Sequence, residues 1–253
     1  MSTLKVPNPR KLTLEERRKI GVPGGGEWFN EKNIAKEFAS MHYGTGGGFV
    51  LGFDLPMRGY CYGVYASYDE SITYLLQLKS DCRHGYEMIR SENECNLYLD
   101  LELICKEEDE TEIMERTVES ICAILRLKYK AEFGLQVTRG SGVTEKEFKL
   151  SFHVVVTGLV FSNNYGRGMK QCVQEIRDSL DKNNRQIIDV HPYNRDGLMR
   201  TVLSCQRSSP ICLRNVTGNP FGSTRLYSQT TSIKTMKRVL EEIAASHNMS
   251  TMF

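Results

Sequence analysis

The run Leu97-Tyr98-Leu99-Asp100-Leu101-Glu102-Leu103 constrains this chain more than any other segment. Its strict alternation is that of a β-strand, where successive side chains take opposite faces. The four leucines share one face and point into a core, while Tyr98, Asp100 and Glu102 share the other. At a rise of about 3.3 Å per residue, the two carboxylate-bearing Cα atoms stand about 6–7 Å apart. Carboxylates are depleted in strands. Two in line on one face suit a hard divalent cation, which takes carboxylate oxygens together with substrate phosphates. An edge strand with its polar face in water would read the same way.

The same alternation recurs in Lys149-Leu150-Ser151-Phe152-His153-Val154. Leu150, Phe152, Val154 and Val156 fall on one face; Lys149, Ser151 and His153 fall on the other. A cation, a hydroxyl and an imidazole in line can all hydrogen-bond a polyphosphate. Taken alone, the histidine reads first as a satisfied structural residue. A third apolar run, Ile187-Ile188, ends in Asp189 and leads into a stretch with Tyr193, Arg195, Arg200 and Arg207. Asp189 would complete a set of three carboxylates able to hold two metal ions around an in-line phosphoryl transfer. The arginines suit phosphate contacts, although each is also an ordinary surface charge.

The rest of the chain supplies a frame for these segments. Strands are expected at Phe49–Phe53, Gly59–Ala66, Tyr86–Ile89, Leu135–Thr138 and Thr201–Cys205. A short helix is expected near Asp69–Leu78. Two amphipathic helices follow from their 3.6-residue periods: Thr111–Leu127, with Met114, Val118, Ile121, Cys122 and Leu125 on one face, and a second through Met169, Cys172, Val173, Ile176 and Leu180. Ile233, Met236, Val239, Leu240 and Ile243 mark a C-terminal helix. Strands interleaved with helices outside a strict βαβ rhythm give an α+β class. Gly24–Gly26 and Gly46–Gly48 read as turns, since neither fits a dinucleotide fingerprint and no G-K-[ST] follows.

Net charge is only +2, but its distribution is uneven. From Glu92 to Ser120 eleven acidic residues meet two basic ones, and from Arg185 to Val239 nine basic residues meet two acidic ones. Such a pairing suits a site that holds cations and polyphosphate together; a solvated acidic helix accounts for much of the first segment. The eight cysteines form no C-x-x-C pair, and several sit in apolar patterns, which suggests reduced core thiols inside a cell. The sequons at Asn215 and Asn248 then carry no weight. No apolar run approaches the ~20 residues of a membrane span. Met1 to Lys19 is too polar for a signal peptide.

Taken in order, Asp100-Leu101-Glu102, Ser151-Phe152-His153 and Asp189 resemble the signature of the archaeo-eukaryotic primases: D-x-E on a strand, S-x-H on a second strand, and a later lone Asp. The flanks resemble the primase-polymerase type. These are Gly85-Tyr86-Glu87-Met88-Ile89, the approach Cys95-Asn96-Leu97-Tyr98-Leu99, Lys149 before Ser151, and Tyr193, Arg195, Arg200 and Ser204 after the third motif. The resemblance covers about Phe49 to Arg214. It implies an archaeo-eukaryotic primase fold, an RRM-like catalytic sheet with a smaller N-terminal α/β unit. The domains would be an N-terminal extension and helix at 1–40, a catalytic core of two packed subdomains at 41–230, and a C-terminal helix and tail at 231–253.

The resemblance further implies that Asp100, Glu102 and Asp189 are catalytic and hold Mg²⁺ or Mn²⁺. Lys149, Ser151, His153 and Arg200 would bind the nucleotide, and Arg195, Arg207 and Arg214 the nucleic acid. The activity implied is a template-dependent DNA primase or polymerase that uses (d)NTPs on a DNA template and primer. It implies an intracellular setting, whether nucleus, mitochondrion or viral replication site. The sequence departs from the subfamily after Ser204, where Cys205 and Gln206 precede Arg207. It also lacks the subfamily's C-terminal Cys/His zinc module. A helicase or zinc-binding module could therefore lie on a longer chain or a separate subunit, and extension is better supported than de novo priming. Two other readings are a non-catalytic nucleic-acid-binding subunit or scaffold that retains the fold, and a related transferase for end repair or gap filling.

Overall fold

A computed structural model describes residues 11–56, 59–105, 111–130, 133–143, 147–165, 168–205, 207 and 212–215. The element order is α1 (Leu14–Ile20), β1 (Glu27–Phe29), α2 (Lys32–Tyr43), β2 (Phe49–Asp54), β3 (Tyr60–Tyr65), α3 (Tyr68–Leu75), β4 (Gly85–Ile89) and β5 (Cys95–Cys105). Then come α4 (Thr111–Tyr129), β6 (Gly134–Val143), β7 (Phe148–Phe161), α5 (Met169–Ser179), β8 (Ile188–Asp189), β9 (Gly197–Arg200) and β10 (Arg214–Asn215). The strands make two five-stranded antiparallel sheets, ordered β1-β3-β2-β4-β9 and β10-β6-β7-β5-β8. The class is α+β.

Local chemistry explains where several elements begin and end. Thr13 caps α1 in a reciprocal box with Glu16, and Gly21 ends it in the left-handed conformation. Ser67 caps α3 by accepting from the Glu70 N–H. The first sheet is covered on both sides. Phe49, Leu51 and Phe53 pack with Trp28, Ile72 and Leu75, whereas Val50, Val64 and Met88 pack with Ala35 and Ala39 of α2 on the opposite face. That is why β2 reads as a continuous apolar run. Gly63 is required by packing, because a Cβ there would come within 2.7 Å of the Trp28 ring.

Among the described residues, the second sheet is covered by helices on one face. Leu97, Leu99, Leu101, Leu150, Phe152, Val154 and Val156 bury against α4 and α5. The expected helix faces are the buried ones: Met114, Val118, Ile121, Cys122 and Leu125 on α4, and Met169, Cys172, Val173 and Ile176 on α5. After β8 the chain crosses to the first sheet as β9, which pairs with β4, and returns to the second as β10, which pairs with β6.

Three expectations differ from the structure. The strand after Asp189 is Gly197–Arg200, and Thr201–Cys205 is a turn. There the Thr201 and Ser204 hydroxyls lie 2.7 Å apart, Thr201 Oγ1 donates to the Gly85 carbonyl at 3.1 Å, and Leu203 has φ 62°. The Ser204 N–H donates to the Thr201 carbonyl at 3.2 Å, the bond of a tight turn, and this ends the strand. Cys205 and Cys212 are joined in a disulfide across an antiparallel bridge, which corrects the reading of all eight cysteines as free thiols. Finally, β6 and β7 run well past the expected strands. The expected C-terminal helix and the 231–253 segment lie outside the described residues. Among the described residues no helix is long and apolar enough to cross a membrane.

Candidate functional site

β5 lies between β7 and β8, and the register brings the three motifs together. Asp100 stands opposite His153 on β7 and opposite Asp189 on β8. His153 in turn stands opposite Thr138 on β6. Directly opposed residues share a face, so Thr138, His153, Asp100 and Asp189 form a row across four strands. The next row is Gly140, Ser151 and Glu102, and the third is Gly142, Lys149 and Ile104. All three rows occupy the face turned away from α4 and α5.

A tyrosine pair fixes Asp189 against β5. Tyr98 and Tyr193 stack with centroids 5.1 Å apart. The Tyr193 hydroxyl donates to the Tyr98 carbonyl at 2.8 Å, and the Tyr98 hydroxyl donates to the Pro192 carbonyl at 3.1 Å. The Glu102 N–H donates to the Ile187 carbonyl at 2.8 Å, which closes the β5–β8 edge.

Asp100 is the carboxylate of the three whose titration is displaced by its surroundings. Its side chain is 13% exposed, and its Oδ1 is buried with no hydrogen-bond partner. Burial, reinforced by the charges of Glu102 and Asp189, pushes its pKa up to about 7. The His153 Nε2 lies 3.4 Å from that oxygen. Burial and the Arg200 charge hold the His153 pKa well below its ordinary value, against the pull of a hydrogen bond to the Arg200 backbone. The ring is therefore neutral, and the contact is not an ion pair. Ser151 is 1% exposed, and its Oγ is likewise without a partner.

The other two carboxylates are engaged. Lys149 Nζ donates to Glu102 Oε1 at 2.6 Å, and Asp189 Oδ1 accepts from the His191 N–H at 3.0 Å and lies 2.6 Å from its Nδ1. Among the described residues no three His, Cys, Asp or Glu side chains are drawn together tightly enough to hold a metal ion as they stand. The donor set nevertheless fits a hard divalent cation: three carboxylates on adjacent strands, one of them with an orphaned buried oxygen that a positive charge would satisfy.

The margin of the first sheet closes over part of this face. Glu87 and Met199, opposite one another on β4 and β9, line a small cleft with Gln136, Thr138, His153 and Arg200. Buried Glu87 and the half-buried Gln136 were not singled out from sequence. A carboxylate at the centre of Gly85-Tyr86-Glu87-Met88-Ile89 was the available signal, since a charge inside an apolar strand needs a partner.

The arginines divide into two groups. Arg200, on β9, adjoins Asp100 and His153 and joins the site. Arg195 lies 5.9 Å from the Tyr165 ring. Exposed Arg207 donates twice to the Asp54 carbonyl of β2, at 2.8 and 3.2 Å. Arg214 is opposite Arg139, whose guanidinium lies 5.8 Å from the Phe152 ring, so it belongs to the helix-side face. The structure thus assembles Asp100, Glu102, Asp189, Lys149, Ser151, His153 and Arg200, and leaves Arg195, Arg207 and Arg214 outside the cluster.

No protein-family model and no curated protein matches the chain.

Proposed function

We propose that the chain is a nucleotidyltransferase of the primase-polymerase type, with the archaeo-eukaryotic primase fold and the second sheet as its catalytic sheet. The observation that carries this reading is the row across β8, β5 and β7. Two carboxylates and a neutral imidazole stand side by side, with Glu102, Ser151 and Lys149 in the next rows of the same face. Asp100, Glu102 and Asp189 would hold Mg²⁺ or Mn²⁺. When bound, the ions supply Lewis-acid stabilisation of the attacking and leaving oxygens.

The chain's own residues do the rest. Lys149 gives up Glu102 and pairs with phosphate oxygens. Ser151 offers a donor to the same anion, neutral His153 can do so only by giving up the N–H that it turns to the Arg200 backbone, and Arg200 adds charge from the first sheet. The 3′-oxygen of a primer on a DNA template bonds to the α-phosphorus of the (d)NTP. The bond to the β-phosphate's bridging oxygen breaks, pyrophosphate leaves with that electron pair, and the hydroxyl proton passes to water.

Extension of a labelled primer on a DNA template, with Mg²⁺ or Mn²⁺, tests this for wild type and Asp100→Ala together. Metal-dependent extension lost in the variant is the expected result. A wild type that binds DNA yet extends nothing sinks the enzymatic reading and favours a nucleic-acid-binding subunit.

A further inference from the structure

β9 is a four-residue edge strand, and its apolar pattern does not fix its register. Its two central residues, Leu198 and Met199, take opposite faces and are both apolar. Leu198 packs with Val50, Val64 and Met88, whereas Met199 joins the core of the second sheet. A slip by one residue would exchange two side chains of similar character, at little hydrophobic cost. It would also put Met199 or Thr201 opposite Tyr86, where Arg200 stands, and so take the arginine out of the site.

Polar bonds at the two ends of β9 supply what the apolar pattern does not. Thr201 ties the far end, since its N–H and its hydroxyl both donate to the Gly85 carbonyl. Asp196 ties the near end. It is 5% exposed and sits at φ 54°, a left-handed backbone that aspartate tolerates better than most residues. Its Oδ1 accepts from the Ser91 N–H, just past the end of β4, and its Oδ2 accepts from Lys36 Nζ of α2, both at 2.8 Å. Burial pushes its pKa up, but the bonds from Lys36 and Ser91 outweigh this and hold it below the ordinary carboxylate value. The network runs on into the fold. Lys36 also pairs with Glu92 at 3.2 Å, Glu92 with buried Arg90 at 2.8 Å, and Arg90 donates to Ser40 Oγ and the Gly47 carbonyl. A slipped β9 would pull Asp196 from Lys36 and leave a buried carboxylate without its partner.

A buried ion pair adds little net stability over apolar side chains of similar volume, so its contribution lies in the arrangement it enforces. Resting on the nucleotidyltransferase reading, we infer that Lys36 and Asp196 are positioning residues: their pair locks the register of β9 and thereby holds the Arg200 guanidinium beside Asp100 and His153.

The test uses the full chain with Asp196→Asn, Arg200→Ala and the two combined. Asparagine keeps the left-handed backbone and an oxygen for the Ser91 N–H, and removes only the charge that faces Lys36. Primer extension is measured per folded molecule, beside Tm. Asp196→Asn alone should lower kcat/KM about tenfold, and in the Arg200→Ala background by less than about twofold further, because nothing is left to position. Losses that multiply overturn the inference, since they show Asp196 acting independently of Arg200. A second readout needs no activity. The NMR signal of the Arg200 Nε–H, assigned by its loss in Arg200→Lys, should shift or broaden in Asp196→Asn. The two residues lie about 13 Å apart along an extended strand, so a change reports displacement and not lost contact. An unchanged signal overturns the lock whatever the activity. Should Asp196→Asn fail to fold, Lys36→Gln breaks the same pair from α2 and is read in the same way. Failure of both to fold assigns the pair to stability and overturns the inference. A wild type that extends no primer, but whose Arg200 signal moves in the variant, sinks the nucleotidyltransferase reading and leaves the register lock standing.

Discussion

The two sheets have the same number of strands and use their faces in opposite ways. The first is packed on both sides, with Trp28 and α3 on one and α2 on the other. The second is packed by helices on one side, while its other side, closed over in part by the margin of the first sheet, holds Asp100, Glu102, Lys149, Ser151 and His153. A sheet buried on both faces spends all its side chains on cohesion. The face of the second sheet turned from the helices buries groups that cohesion would never select, among them a carboxylate with an orphaned oxygen and a hydroxyl with no partner.

Substitutions should separate the two roles. Asp100→Ala should lower nucleotide incorporation about a thousandfold or more, the scale of a lost metal ligand, with circular dichroism and Tm unimpaired. Near-normal activity would break the comparison at its centre. Trp28→Ala, in the first sheet, should do the reverse and cost about 3–5 kcal/mol of stability in denaturant titration. Activity per folded molecule should survive in that variant.

Asp100 offers a finer probe. Its folded pKa of about 7 lies above the ordinary carboxylate value. The folded state therefore holds the proton more tightly than the unfolded one, and stability is lost as pH rises from about 4 through 7. Asp100→Asn should raise stability at pH 8 without divalent cations by about 1–2 kcal/mol, and by little at pH 4. A variant less stable than wild type at pH 8 would mean that the polar face contributes to cohesion after all.

The smallest effects concern the Lys149–Glu102 pair, which is partly exposed. Lys149→Ala should weaken nucleotide binding about tenfold while sparing template binding. Glu102→Gln should free Lys149 and tighten metal-free triphosphate binding by about two- to fivefold, no more than a screened surface pair is worth. Weaker metal-free binding in Glu102→Gln would mean that the pair holds Lys149 in place for the phosphates.

The α+β class and the site strands were legible because alternation is a strong local signal. Leu97–Leu103 and Leu150–Val156 announce both strand and facing, and the helix faces of α4 and α5 follow from their periods. What alternation cannot supply is register. Nothing local to Ile187-Ile188-Asp189 says that Asp189 lands beside Asp100; the chemistry of a two-metal set and the family resemblance suggested the grouping, and the strand pairing supplies the register. The arginines show the limit from the other side. Arg200 and Arg214 look alike in sequence, but cross-strand pairing sends one to the site and the other to the helix-side face. Glu87 was overlooked because its significance depends on β9 folding against β4, a pairing between segments about a hundred residues apart.

That last pairing also bears on how the chain is made. β4 ends at Ile89 and its outer partner β9 begins at Gly197, so a ribosome must deliver the core of the second sheet before the first can be finished. Until then the nascent chain carries an apolar edge strand with unpaired backbone, the kind of surface that recruits neighbouring chains. Translation stalled or truncated anywhere between these strands would release a product whose first sheet is open at β4. The yield of native protein is therefore tied to the interval between the synthesis of Ile89 and that of Arg200.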